Sequence, residues 1–128
     1  MKLGYVIYYV ESVEKTLGFY EKAFGLKTKF LHESGEYGEL ETGSTALAFA
    51  SLNLAESNQI NFKKRSKDFY SSDMEIGLVT DDVNAAHATA VKAGAVEVKS
   101  PVKKPWGQDV SYVRDPNGFL VEICSSMG

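Results

Sequence analysis

The feature that most restricts this chain is that it repeats itself. Leu3 to Val10 is β-branched and aromatic with no charge, which predicts a strand buried on at least one face. Ser12 then offers an N-cap. Val13, Leu17, Tyr20 and Phe24 follow at helical spacing and make one apolar stripe, which Gly25 can terminate. Three strands are predicted after it: Lys27–His32, Tyr37–Glu41 and Thr45–Ser51, the last two joined by a tight turn at Thr42-Gly43-Ser44. The same order then returns. Met74–Thr80 reads as a strand, Asp82 as an N-cap, and Val83, Ala86, Ala90 and Ala93 as a helical stripe closed by Gly94. Val96–Val98, Asp109–Arg114 and Phe119–Cys124 read as strands, the last entered through the turn Asp115-Pro116-Asn117-Gly118. The helix starts at Val13 and Val83 set the two βαβββ units 70 positions apart. Chance is a poor account of so many elements recurring in order; internal duplication is the economical one.

Composition narrows the function classes. The 128 residues carry a formal net charge of −3, whereas broad nucleic-acid binders need an excess of Lys and Arg to neutralise phosphates. No nucleic-acid partner is expected. Tyr5–Val10 is far too short to span a bilayer and is preceded by only one charge, Lys2, so neither a membrane span nor a secretory signal is expected. The single cysteine, Cys124, has no partner in the chain, which argues for a reducing, cytoplasmic setting. One domain is expected, with module one at 1–52, a linker at 53–73 and module two at 74–128. That linker is long for a loop and mixes Phe62, Phe69 and Tyr70 with Lys63, Lys64, Arg65 and Lys67. It suits either a lid over a flat or anionic ligand or a solvated connector.

In its order of elements the chain resembles the vicinal oxygen chelate superfamily: glyoxalase I, extradiol dioxygenases, fosfomycin-resistance enzymes and bleomycin-resistance binding proteins. The resemblance covers essentially the whole chain. It is carried by Val10-Glu11-Ser12-Val13, Phe19-Tyr20 and Gly25-Leu26, then by Thr80-Asp81-Asp82-Val83, Ala93-Gly94-Ala95, Pro105-Trp106-Gly107 and Arg114-Asp115-Pro116-Asn117-Gly118 through Glu122. It implies an α+β fold in which two tandem βαβββ modules form a curled mixed sheet around a cleft, with helices on the outer face and often a second subunit completing the site.

The superfamily's enzymes hold a divalent metal with ligands from the opening and closing strands of each module. At the matching positions this chain has Tyr5 and Glu75 on the opening strands, Ala48 (to within about one residue) on the first closing strand, and Glu122 on the last. A catalytic metal needs about three protein ligands with open positions left for substrate. The expected reading is therefore no metal, the alternative being a hard cation such as Mg or Mn held by Glu75 and Glu122. Neither histidine stands at a ligand position: His87 matches Leu17 on the helix, and His32 flanks a turn.

Strand alternation fixes which side chains share a face. If Tyr5 faces the cleft, so do Ile7 and Tyr9; Ala46, Ala48 and Ala50 form an opposing row that leaves room, and Glu75 and Glu122 add two acids. Trp106 either stacks on a planar ligand at the rim or packs on the sheet edge. On a half-exposed sheet the acids are either the wet face or ligand-facing; near each other in an apolar setting, one of them has a raised pKa. Three functions compete. The leading one is a homodimeric protein of the bleomycin-resistance type that binds a small aromatic or cationic molecule without transforming it, through Tyr5, Ile7, Tyr9, Ala48, Glu75, Trp106 and Glu122. The others are a metal-dependent lyase, isomerase or dioxygenase using Glu75 and Glu122, and metal-free acid-base catalysis. Cys124 as a nucleophile is disfavoured, with no His beside it.

Overall fold

The structure, a computed structural model, describes residues 1–64 and 73–127. Two compact units divide the chain after Lys64. In the first, β1 (Tyr5–Val10) leads into α1 (Val13–Phe24), then β2 (Thr28–Leu31), β3 (Tyr37–Leu40), β4 (Ala46–Ser51) and a short α2 (Leu52–Ser57). In the second, β5 (Glu75–Val79) leads into α3 (Val83–Lys92), β6 (Val96–Lys103), β7 (Asp109–Arg114) and β8 (Leu120–Cys124). The two sheets have the same order, β1-β4-β3-β2 and β5-β8-β7-β6. Opening and closing strands run parallel and the remaining pairs antiparallel. The fold is α+β, built from two tandem βαβββ modules.

Each module buries one sheet face under its helix. In the first, Ser12 accepts from the Lys15 N–H at 3.2 Å, and Gly25, at φ 70°, closes α1 with its N–H on the Glu21 carbonyl. The helix lays Val13, Leu17 and Tyr20 on the sheet. The Tyr20 ring, fully buried, meets Phe49 at 5.0 Å, and Phe49 meets Tyr8 at 6.3 Å. Side chains so buried each contribute about 1.5–3 kcal/mol of transfer free energy. In the second module Asp82 accepts from the Ala85 N–H at 3.0 Å, and α3 buries Val83, His87 and Ala90. His87 sits at the place of Leu17 in the stripe, and the predicted Ala93 lies only half-buried at the helix end.

Two elements depart from expectation. β6 runs to Lys103 rather than stopping at Val98, because it is an edge strand: Pro101 lacks only a donor that no neighbour needs, and the register with β7 shifts on either side of Lys99. α2 occupies the start of the predicted linker. Its signal is a single cap, Ser51, whose Oγ accepts from the Leu54 N–H at 3.0 Å, over too few residues to show periodicity. Of the linker's basic and aromatic residues, Arg65, Lys67, Phe69 and Tyr70 lie outside the described residues.

Candidate functional site

Paired residues on neighbouring strands share a face, so the register maps the side of each sheet that its helix leaves uncovered. On the first sheet one row across β1, β4, β3 and β2 is Ile7, Ala48, Glu39 and Phe30, and the next is Tyr9, Ala50 and Tyr37. Tyr5 stands beside Ala46. On the second sheet the row across β5, β8, β7 and β6 is Gly77, Glu122, Tyr112 and Lys99. The flanking rows are Glu75, Leu120, Arg114 and Val96, and Val79, Cys124, Val110 and Val102.

This map fixes an equivalence that sequence spacing left uncertain by a residue. Ala48 pairs with Ile7 as Glu122 pairs with Gly77, so the first module carries a methyl group where the second carries its carboxylate.

Around Glu122 the second sheet gathers polar groups. Glu75 and Glu122 lie diagonally across the β5–β8 pair, Glu75 beside Leu120 and Glu122 beside Gly77. The Tyr112 hydroxyl donates to Glu122 Oε2 at 3.3 Å. Partial burial, then the Glu122 hydrogen bond and charge, raise the Glu75 carboxyl above its ordinary value. Burial and the two acids push up the Tyr112 phenol. Burial, then the hydrogen bond to Glu122, likewise raise the Cys124 thiol, which makes it a worse nucleophile.

The first sheet carries a phenol–carboxylate pair of its own, one strand over. Tyr37 donates to Glu39 Oε2 at 3.0 Å; burial, that hydrogen bond and the charges of Glu39 and Tyr5 push its phenol to about 12. Sequence reasoning missed Tyr37, Glu39 and Tyr112. The signal was available, since the alternation applied to the opening and closing strands extends through β3 and β7.

The remaining candidates fall as follows. Tyr5 and Ile7 are exposed, and the half-buried Tyr9 ring meets Phe62 at 5.0 Å. Ala48 is fully buried, and Ala46 and Ala50 are buried on either side of it, so the room expected above the alanines is not open. Trp106 meets no other ring among the described residues. It stands 65% exposed in the β6–β7 hairpin turn, its Nε1 donating to Gln108 at 2.9 Å.

A catalytic metal does not fit this donor set. At the matching positions the first module offers a phenol and a methyl group and the second two carboxyls, and no group of three or more His, Cys, Asp or Glu side chains able to hold a metal occurs among the described residues.

One further constellation has catalytic chemistry in outline. His87 Nδ1 lies 2.9 Å from Ser111 Oγ and its Nε2–H reaches Glu97 Oε2 at 2.6 Å. A nucleophilic serine must be reachable, and Ser111 is fully buried under α3. The trio fastens the helix to β6 and β7. His32 is tied to Ser34 at 2.8 Å in the β2–β3 turn.

With this geometry in place, the comparisons are consistent. The glyoxalase-like domain family matches residues 3–128. The uncharacterized protein YraH of Bacillus subtilis is 26% identical over 124 residues, 96% of this chain and 97% of its own. A glyoxalase-related enzyme from Fulvimarina pelagi superposes with a TM-score of 0.83 at 20% identity, over 98% of this chain and 88% of that one. A glyoxalase/bleomycin resistance protein/dioxygenase family enzyme from Burkholderia phytofirmans gives 0.78 at 19%, over 98% of each chain. At such identities the two structures speak for the fold.

Proposed function

The chain belongs to the glyoxalase-like domain family of the vicinal oxygen chelate superfamily, and from that membership we propose that it binds a small aromatic or cationic molecule on the uncovered faces of its sheets without a catalytic metal. The observation that carries this reading is the register equivalence of Ala48 and Glu122. Of the four positions of a duplicated centre one is a methyl group and one a phenol, and the two carboxyls left fall short of the about three ligands a catalytic metal takes. What remains on the faces is mostly apolar and aromatic, with a few placed polar groups, the usual make-up of a small-molecule site. Tyr5, Ile7 and Tyr9 supply contact area, Glu75 and Glu122 a negative charge for a cation, and Trp106 a ring free to stack.

A homodimer working in the cytoplasm completes the proposal. It is supported by the exposure of Tyr5, Ile7 and Phe30 on one sheet face and by the lone, buried Cys124. No helix among the described residues is long and apolar enough to cross a membrane.

Native mass spectrometry against a panel of aromatic cations tests both parts. The expected result is a dimer carrying bound cation, weakened in Glu75→Gln and Glu122→Gln. Unchanged binding in both variants removes the acids from the reading, and a panel with no binder removes the reading itself. A manganese titration tests the metal: a dissociation constant in the micromolar range would contradict the donor-set argument.

A further inference from the structure

Sheet one concentrates rings around a carboxylate, that of Glu39. Phe30 is 46% exposed and meets two other rings, His32 at 6.3 Å and 79° and Tyr37 at 6.5 Å and 53°, neither of them stacked flat on it. Glu39 is the cross-strand partner of Phe30 and accepts the Tyr37 hydroxyl at 3.0 Å. Among the described residues no Lys, Arg or His forms an ion pair with Glu39.

Ring faces are electronegative, so a corner of rings beside a carboxylate attracts a cation. The hydrogen-bonding capacity there is small: one carboxylate, with one oxygen already engaged by Tyr37. A primary ammonium must replace three hydrogen bonds to water on leaving it, and a quaternary ammonium none. Charge and hydrogen-bond count thus favour the same ligand class. The second module supplies an internal contrast, because the register puts Lys99 in the place of Phe30, Tyr112 in that of Glu39 and Val110 in that of Tyr37. A cation meets a cation there.

We propose that Phe30, Tyr37 and Glu39 form a binding corner for a quaternary ammonium group, confined to the first module. This rests on the reading of the uncovered faces as ligand surfaces, and it names a charge other than Glu75 and Glu122.

The test is an NMR titration at pH 8 with choline and with its uncharged isostere 3,3-dimethylbutan-1-ol. The wild-type protein is expected to bind choline at least tenfold more tightly than the alcohol. Glu39→Gln should erase that ratio while leaving the alcohol within twofold, Phe30→Lys should abolish choline binding, and Glu75→Gln should leave the ratio unchanged. These positions are exposed or half-buried, so the variants are expected to fold, which amide dispersion verifies. No preference for choline, or a preference that survives Glu39→Gln, overturns the proposal. If aromatic cations still bind in the mass-spectrometric panel, that failure leaves the broader reading standing. A panel with no binder and a choline preference lost with Glu39 would do the reverse.

Discussion

The two modules share a skeleton and almost nothing on their uncovered faces. Under the helices the paired positions stay apolar: Tyr8 and Leu78, Leu47 and Val121, Phe49 and Ile123, Leu40 and Val113. On the other face Tyr5 answers to Glu75, Ile7 to Gly77, Tyr9 to Val79, Ala48 to Glu122 and Phe30 to Lys99. Packing against a helix restricts volume and polarity; a face released from that duty is free to take on different chemistry. The exception under the helices is instructive. Leu17 sits over Gly38, where a Cβ would meet Leu17 Cδ1 at 2.7 Å, while the matching pair in the second module is His87 over Ser111, hydrogen-bonded at 2.9 Å. Both pairs fill the same space, one with carbon and the other with a satisfied polar contact.

The largest effects should come from the shared, covered layer. Phe49→Ala removes a fully buried ring that touches Tyr20 and Tyr8 and should cost about 3–5 kcal/mol. Ile123→Ala, at the equivalent place, should cost about 2–5 kcal/mol, with less volume lost. Urea denaturation measures both, and a negligible cost for either would break the claim that the two layers do the same work.

The exceptional pair sharpens the contrast. His87→Leu leaves the Ser111 hydroxyl buried without its partner, and Ser111→Gly deprives His87 Nδ1 of its own; each should cost about 1–3 kcal/mol. The double substitution recreates the arrangement of the first module, and should cost less than the two singles together by about 1–2 kcal/mol. Additive costs in the same denaturation series would mean that the two positions are not a unit.

Most of the fold was legible because duplication shows each signal twice. The caps Ser12 and Asp82, the stripe from Val13 to Tyr20 and the glycines 25 and 94 bound their helices where the periodicity places them. What escaped was what periodicity cannot carry: α2, too short to repeat, and the tail of β6, where Pro101 reads as a stop unless the strand is known to be an edge. The site was half legible. Alternation along a strand puts Tyr5, Ile7 and Tyr9 together and, carried on through β3, puts Tyr37 with Glu39; the pairing of β3 with β4 then sets these two beside Ala50 and Ala48. Nothing in the sequence says that the alanine row is closed over.

The acids separate the modules in their response to pH. The Glu75 carboxyl is raised in the folded chain, so above about pH 4.5, its unfolded value, the folded state binds more proton than the unfolded one. The stability from that bound proton is complete below the unfolded value and is lost as pH rises through the folded one. Glu75→Gln should flatten this part of the stability–pH curve, whereas Tyr5→Phe, at the matching position of the first module, should leave it unchanged over the same range. Urea midpoints from pH 4 to 8 give the comparison. A slope that persists in Glu75→Gln would assign the proton elsewhere.

The smallest effect distinguishes the two phenol–carboxylate pairs. Tyr37 donates to Glu39 at 3.0 Å and is raised to about 12, whereas Tyr112 donates to Glu122 at 3.3 Å. The first bond is the shorter, so Tyr37→Phe should cost about 1 kcal/mol and Tyr112→Phe about half of that, both at the low end for hydrogen bonds at partly solvated sites. Ultraviolet titration of the phenols offers a second readout. The tyrosine that ionises latest should vanish in Tyr37→Phe and survive in Tyr112→Phe. The reverse outcome would place the stronger pair on the second sheet, against the order of the two bond lengths.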